Sequence, residues 1–206
     1  MRCNRTLLTA ARVLVVLAAC GGIAAARGPV VISIPEDEDA LEFVGQFNNT
    51  ATTSQQFGYL SRVVGLNPIF VGEPEDETTC LFTFVTNATT DRTIVNGSLK
   101  IINRTGTTTV YLNTPPSDFN DPATFSQGIP IQVSSYAQQV VLNTLTNSFV
   151  TVHTNTITSV EPFSVDGTTY KLGEVGKSFR TTYSGQVNTT GAPSGWFGGH
   201  AVGAKK

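Results

Sequence analysis

The 206-residue chain is poor in the residues that carry most recognisable chemistry, with three cysteines, two histidines, one methionine and one tryptophan. Cys3 and Cys20 lie near the N-terminus, which leaves Cys80 alone in the body, inside "TTCLFTFVT". A disulfide scaffold or a cysteine-based metal site needs more thiols than that. On an apolar strand Cys80 reads as a small buried hydrophobe. His153 and His200 are isolated, with no cysteine or i+4 histidine beside either, so no zinc site is expected. There is no G-x-S-x-G elbow, and no glycine-rich loop that follows a strand and opens a helix. Hydrolase and nucleotide-binding chemistry therefore lack their local signatures, and no cofactor is expected.

Positive charge is also scarce. Of 13 Lys+Arg, three (Arg2, Arg5 and Arg12) precede the first apolar run, leaving 10 against 15 Asp+Glu, a balance of −5. Nucleic acid and anionic membrane surfaces both require clustered basic residues, so neither is an expected partner. Acids cluster at Glu36 to Asp39 and again at Glu73, Glu75, Asp76 and Glu77, each run beside a proline. Neither has the D-x-[DN]-x-[DN]-G spacing that folds a loop around calcium, and both read as solvated loops.

A long apolar run is missing too. "VLVVLAACGGIAAARG", residues 13–28, follows a basic start and ends in small residues. It is shorter than the roughly 20 apolar residues of a membrane span, and no second run of that length follows. The pattern is that of a secretory signal peptide, residues 1–26. The expected product is secreted, extracellular or apoplast-like, with no integral membrane segment. "LAAC" followed by Gly is a competing stop signal, in which Cys20 would be lipidated and tether the chain at a bacterial cell surface.

What the 206-residue chain does have is threonine, 30 residues, and glycine, 19, and in its body Val, Ile, Phe and Tyr recur in short runs. β-branched and aromatic residues fit a pleated, half-buried surface. Apolar and polar residues alternate in "LFTFVT", "SLKIIN", "TTVYLN", "IPIQVSSYAQQVVL", "SFVTVHTNTITSV" and "SFRTTYSGQV". In the last, Phe179, Thr181, Tyr183, Gly185 and Val187 share one face, the period-2 signature of a strand with one buried side. Turn chemistry falls at Asn96-Gly97, Thr105-Gly106, "TPPSDFNDP", Thr146-Asn147 and Asp166-Gly167. Eight or nine strands at short spacing, without a helix-length periodic segment, predict an all-β fold, an antiparallel barrel of about eight strands, with a β-sandwich as the alternative. The expected organisation is an acidic extension over 27–42, a barrel domain over 43–203 and a frayed tail at 204–206. In "SGWFGGHAVG" the pair Trp196-Phe197 reads as core filling.

Five N-x-[ST] sequons follow the signal, at Asn48, Asn87, Asn96, Asn103 and Asn188, about twice the number chance predicts. If glycosylated, they place the chain in a eukaryotic secretory pathway. Candidate ligand-binding residues are polar or aromatic side chains on the barrel strands: Tyr59, Arg62, His153, Arg180 and Tyr183. A cavity with a few convergent polar groups is the usual small-molecule site. Arg180 falls on the polar face of its strand, where solvation is the simpler reading. No catalytic constellation is visible.

"FGYLSRVVGL" leading into "CLFTFVT", and a terminal "WFGGHAVG" similar to an F-x-x-A-x-G-Y-A ending, resemble the barrel superfamily of dirigent proteins and allene oxide cyclases. The resemblance spans roughly Phe43 to Gly203. It implies an extracellular barrel that encloses a small apolar or phenolic molecule, or a radical intermediate, and steers its coupling. An allene-oxide-cyclase-like isomerase is the alternative on the same barrel, and a homo-oligomer is a further implication. The paired aspartates of dirigent strands and their G-G-T-G run have no counterpart here, so no catalytic residue carries across. A threonine-rich cell-surface or cell-wall adhesion protein is the competing structural reading.

Overall fold

The computed structural model describes residues 28–33 and 39–204. The signal segment 1–26 with Cys20, the acids Glu36, Asp37 and Glu38, and residues 205–206 lie outside the described residues. The strands in chain order are β1 (Val30–Ile32), β2 (Asp39–Asn49), β3 (Thr53–Val63), β4 (Phe82–Asn96), β5 (Leu99–Leu112), β6 (Ile129–Asn143), β7 (Ser148–Val160), β8 (Phe163–Val165), β9 (Thr168–Leu172), β10 (Ser178–Val187) and β11 (Ser194–Ala204). Eight of them close into an antiparallel barrel in the order β10-β11-β2-β3-β4-β5-β6-β7, and β1-β9-β8 form a small separate sheet. Closure comes from β10, which pairs with β11 on one side and β7 on the other. The barrel, and not the sandwich, is the fold.

Alternation along each strand sets what faces inward. On β7, Phe149, Thr151, His153, Asn155 and Ile157 are buried, while Val150 and Val152 point outward and are exposed. On β10, Phe179, Thr181 and Tyr183 are buried and Arg180 is exposed. Trp196 does not fill the core, because the same alternation on β11 turns Phe197 inward and Trp196 outward. Trp196 instead meets Phe119 on the outer wall, ring centroids 4.6 Å apart.

The start of the barrel and one expected turn differ from the sequence reading. β2 begins at Asp39, ahead of Phe43, and carries the buried Ala40 and Leu41. "SLKIIN" and "TTVYLN" are one 14-residue strand, β5, with Thr105-Gly106 in its middle instead of at a turn. Gly106 pairs with Tyr136 across β5 and β6. A Cβ there would sit 2.7 Å from the Tyr136 ring and against the Asn87 carbonyl oxygen. Glycine at this position serves close packing inside a strand.

The two barrel ends are unlike. At one end the connections are tight, through Gly97 (φ +60°) between β4 and β5 and Asn147 (φ 56°) between β6 and β7. At the other, long connections fold back over the opening. Phe163 of β8 packs on the inward Phe82, centroids 5.5 Å apart. Gln132 Nε2 donates to the Leu172 carbonyl at 2.6 Å. With Ile32, Leu66 and Ile69 these residues continue the main hydrophobic core and plug that end. Outside the wall, residues 113–128 form a strap whose 3-10 turn Pro122–Ser126 inserts the fully buried Phe125. Phe125 packs on Phe57 and Val85, and Thr83 Oγ1 donates to its carbonyl at 2.8 Å. Burying a phenylalanine side chain stabilises by roughly 1.5–3 kcal/mol, so this one residue anchors the strap.

Candidate functional site

The barrel interior is half polar. Midway along it, five side chains from five strands form one hydrogen-bonded layer. Arg104 Nη1 donates to Gln138 Oε1 at 3.4 Å. Gln138 Nε2 donates to Tyr183 Oη at 2.7 Å and lies 3.0 Å from His153 Nε2. The Tyr183 hydroxyl donates to Gln56 Oε1 at 3.0 Å, and the same oxygen is 3.0 Å from His153 Nε2. One phenolic proton therefore has two acceptors in reach, Gln56 and a neutral His153. All five residues are buried.

Burial governs their protonation. It pushes the His153 imidazole down to about 3, and the Arg104 guanidinium adds to the shift. Protonating Nε2 would also turn it into a donor facing the Gln138 amide, a donor itself. Burial pushes the Tyr183 and Tyr136 hydroxyls well above the ordinary tyrosine value. Arg104 moves the other way, lowered by burial, since desolvation penalises a cation. The Tyr136 ring lies beside His153, centroids 4.9 Å apart, and its hydroxyl has no hydrogen-bond partner.

Two cavities flank this layer and share Gln56 and Tyr183 as walls. Toward the plugged end, about 60 Å³ is enclosed mainly by Phe43, Leu60, Phe84, Phe179 and Phe197, with Asn155 and Thr181 as polar points. Asn155 Nδ2 donates to Thr181 Oγ1 at 2.7 Å. Toward the tight-turn end, about 40 Å³ is bounded by Phe47, Ile102, Val140, Leu142 and Phe149, with Arg104, Asn49 and Ser54. Aromatic edge-to-face contacts hold these walls, including Phe43 on Tyr183 at 6.0 Å and Phe47 on Phe149 at 5.5 Å.

Of the residues singled out from sequence, the fold brings His153 and Tyr183 together inside the barrel. The other three lie elsewhere. Tyr59 sits on the outer wall beneath Phe70 and Phe119. Arg62 is exposed and pairs with Glu42 at 2.9 Å, and Arg180 is exposed on the outward face of β10. Sequence pattern did not single out Gln56, Arg104, Tyr136 or Gln138. Their signal was the phase of each strand, and for Arg104 the supposed turn at Thr105-Gly106 concealed it. The sequons Asn48, Asn87, Asn96 and Asn188 lie on or beside the surface, and Asn103 is half-buried and accepts from Arg92.

Cys80 is free and fully buried, and burial pushes its thiol up to about 12. Among the described residues no three His, Cys, Asp or Glu side chains converge as metal ligands, and no helix is long and apolar enough to cross a membrane.

The protein is thus a closed eight-stranded antiparallel barrel with an enclosed interior, aromatic at both ends and polar in the middle. Comparison with protein-family models, with curated proteins and with solved structures finds no match to this chain.

Proposed function

We propose that the chain is a secreted, dirigent-like barrel that binds a small apolar or phenolic molecule in its interior and orients it for reaction. The observation that carries this reading is the pair of aromatic-walled cavities meeting at the Gln56–Tyr183–Gln138–His153 layer. Apolar walls with a few convergent polar groups suit a ligand with an aromatic body and a hydroxyl. The layer offers both a donor and an acceptor to such a hydroxyl, yet holds no carboxylate to act as a base. Enclosure and orientation are what such a site supplies, and they lower a barrier without acid–base chemistry.

The test is titration of the purified protein with a phenylpropanoid alcohol, followed by its one-electron oxidation in the protein's presence. Binding together with an excess of one enantiomer of the coupled product supports the reading. Racemic product and no binding refute it. Turnover of an allylic epoxide without added oxidant would favour the isomerase alternative.

A second reading has its own observation. Val141, Val150, Val152 and Trp196 are exposed on the outer wall of the barrel strands. An apolar outer face serves contact between copies or with a surface, as an oligomeric or adhesive protein requires. Sedimentation of the purified chain distinguishes a monomer from a homo-oligomer.

A further inference from the structure

Arg104 is a buried cation with no carboxylate against it. It is 6 % exposed, and the one ion pair among the described residues is Arg62–Glu42 on the surface. Its protein hydrogen bonds are two, both 3.4 Å long, from Nε to Thr90 Oγ1 and from Nη1 to Gln138 Oε1. A guanidinium has five N–H donors, so three are left without a protein acceptor. A buried charge is normally paired because desolvation is expensive. Tyr136 and Tyr183 face Arg104, but both are held neutral by burial.

The unpaired cation borders the 40 Å³ cavity at the tight-turn end, and it is not the sole unpartnered group there. Ser54 Oγ and Asn49 Oδ1 border the same cavity, are buried and have no hydrogen-bond partner. Ser54 is 2 % exposed. A hydroxyl can donate, and a side-chain amide can turn to present its NH₂. Two elements, β3 and β5, thus aim unsatisfied donors into one space, and β2 adds an unpartnered amide that can present its NH₂ on turning over. The rest of its wall combines polar Gln56, Gln138, Thr151 and Tyr183 with apolar Ile102, Val140, Leu142, Val187 and the edge-to-face pair Phe47 and Phe149.

Resting on the reading that the barrel interior binds a small molecule, we propose that the tight-turn half of the barrel is a carboxylate site for a compact aromatic monocarboxylate. Its carboxylate sits against Arg104, with Ser54 and the Asn49 amide as further donors, and its first carbons pass the apolar side chains Ile102 and Leu142. Arginine's planar fork matches a carboxylate in two parallel hydrogen bonds. A single guanidinium balances one negative charge, so a monoanion fits where a phosphate dianion would leave a buried charge uncompensated. Roughly 10–15 Å³ of such space admits one water, so this cavity holds about the bulk of the carboxylate and its first carbons. The ring extends toward the rim residues Asn49, Leu142 and Val187, which are half-buried.

Calorimetric titration with 3-phenylpropionate, its neutral amide 3-phenylpropanamide, and a neutral phenylpropanoid alcohol tests this on the full chain and on Arg104→Met. The carboxylate should bind at least tenfold more tightly than the amide, and Arg104→Met should abolish that preference. The unliganded Arg104→Met protein should melt at a higher temperature than the parent, because an uncompensated charge has been removed. Equal binding of carboxylate and amide to the parent overturns the proposal, as does undiminished carboxylate binding by Arg104→Met. If the alcohol binds and the carboxylate does not, the carboxylate site is wrong and the barrel reading survives. If no probe binds, both fall. A lower melting temperature for Arg104→Met would make Arg104 a structural member of the layer and also count against the site, while the parent's carboxylate-to-amide ratio decides the matter without that variant.

Discussion

Acidification from pH 7 to pH 5 should destabilise this barrel through one buried side chain. His153 is 5 % exposed and held neutral, with burial and Arg104 lowering its folded value to about 3. In the unfolded chain it titrates near 6.5. Because the folded value is the lower one, the unfolded state takes up the proton first. Stability from this group is fully present above pH 6.5 and is lost progressively as pH falls toward 3. The slope approaches 1.36 kcal/mol per pH unit, which amounts to about 2 kcal/mol by pH 5. For a domain of this size that is roughly 4–8 °C in melting temperature. Ordinary carboxylates titrate below this window, so the histidine contribution stands apart. The assay is reversible thermal unfolding followed by far-ultraviolet circular dichroism from pH 7.5 to 5.0. His153→Gln should flatten the pH slope, whatever its effect on absolute stability. His200→Gln, run in parallel, separates the two histidines of the chain. A wild-type slope retained in His153→Gln would refute the reasoning, because the proton uptake would then belong to another group.

Three further outcomes follow from the same packing. Tyr183→Phe removes the hydroxyl that links Gln138 to Gln56 and should destabilise by about 1–3 kcal/mol per buried group left unsatisfied. Urea unfolding reads this loss, and adding Gln56→Leu should recover part of it, since an orphaned acceptor goes with it. Cys80 should resist a disulfide reagent in the native protein and react only on unfolding, because the thiol is fully buried with its pKa raised to about 12; stoichiometric native labelling would contradict its placement. Gly106→Ala should destabilise by about 1–3 kcal/mol through overpacking against Tyr136. Combining it with Tyr136→Leu should relieve only part, since the Asn87 carbonyl also opposes the new methyl group.

Several elements are legible in local pattern alone. "SFVTVHTNTITSV" and "SFRTTYSGQV" are β7 and β10 at their full extents, because one inward-facing set alternates cleanly with an outward one. Asp166-Gly167 and Asn147 take the positive φ that their turns require. Thr105-Gly106 misleads because glycine marks a turn and a close strand contact equally well. Arg62 and Arg180 are candidates by residue type alone, and the pleat sends both to solvent. Trp196 and Phe197 are adjacent and chemically alike, yet a period of two sends one in and one out.

The residues alone determined an all-β chain of alternating strands, since that pattern is local and each strand carries its own copy of it. The interior site belongs to the tertiary structure. Tyr183 donates to Gln56 across 127 positions of sequence, and Arg104, Gln138 and His153 reach the same layer from three other strands. No strand reveals which distant strands will face it. The inward set here also includes Gln, Arg, His and Asn, which a hydrophobic pattern assigns to solvent. Only closure of the barrel turns those polar positions away from water and toward one another.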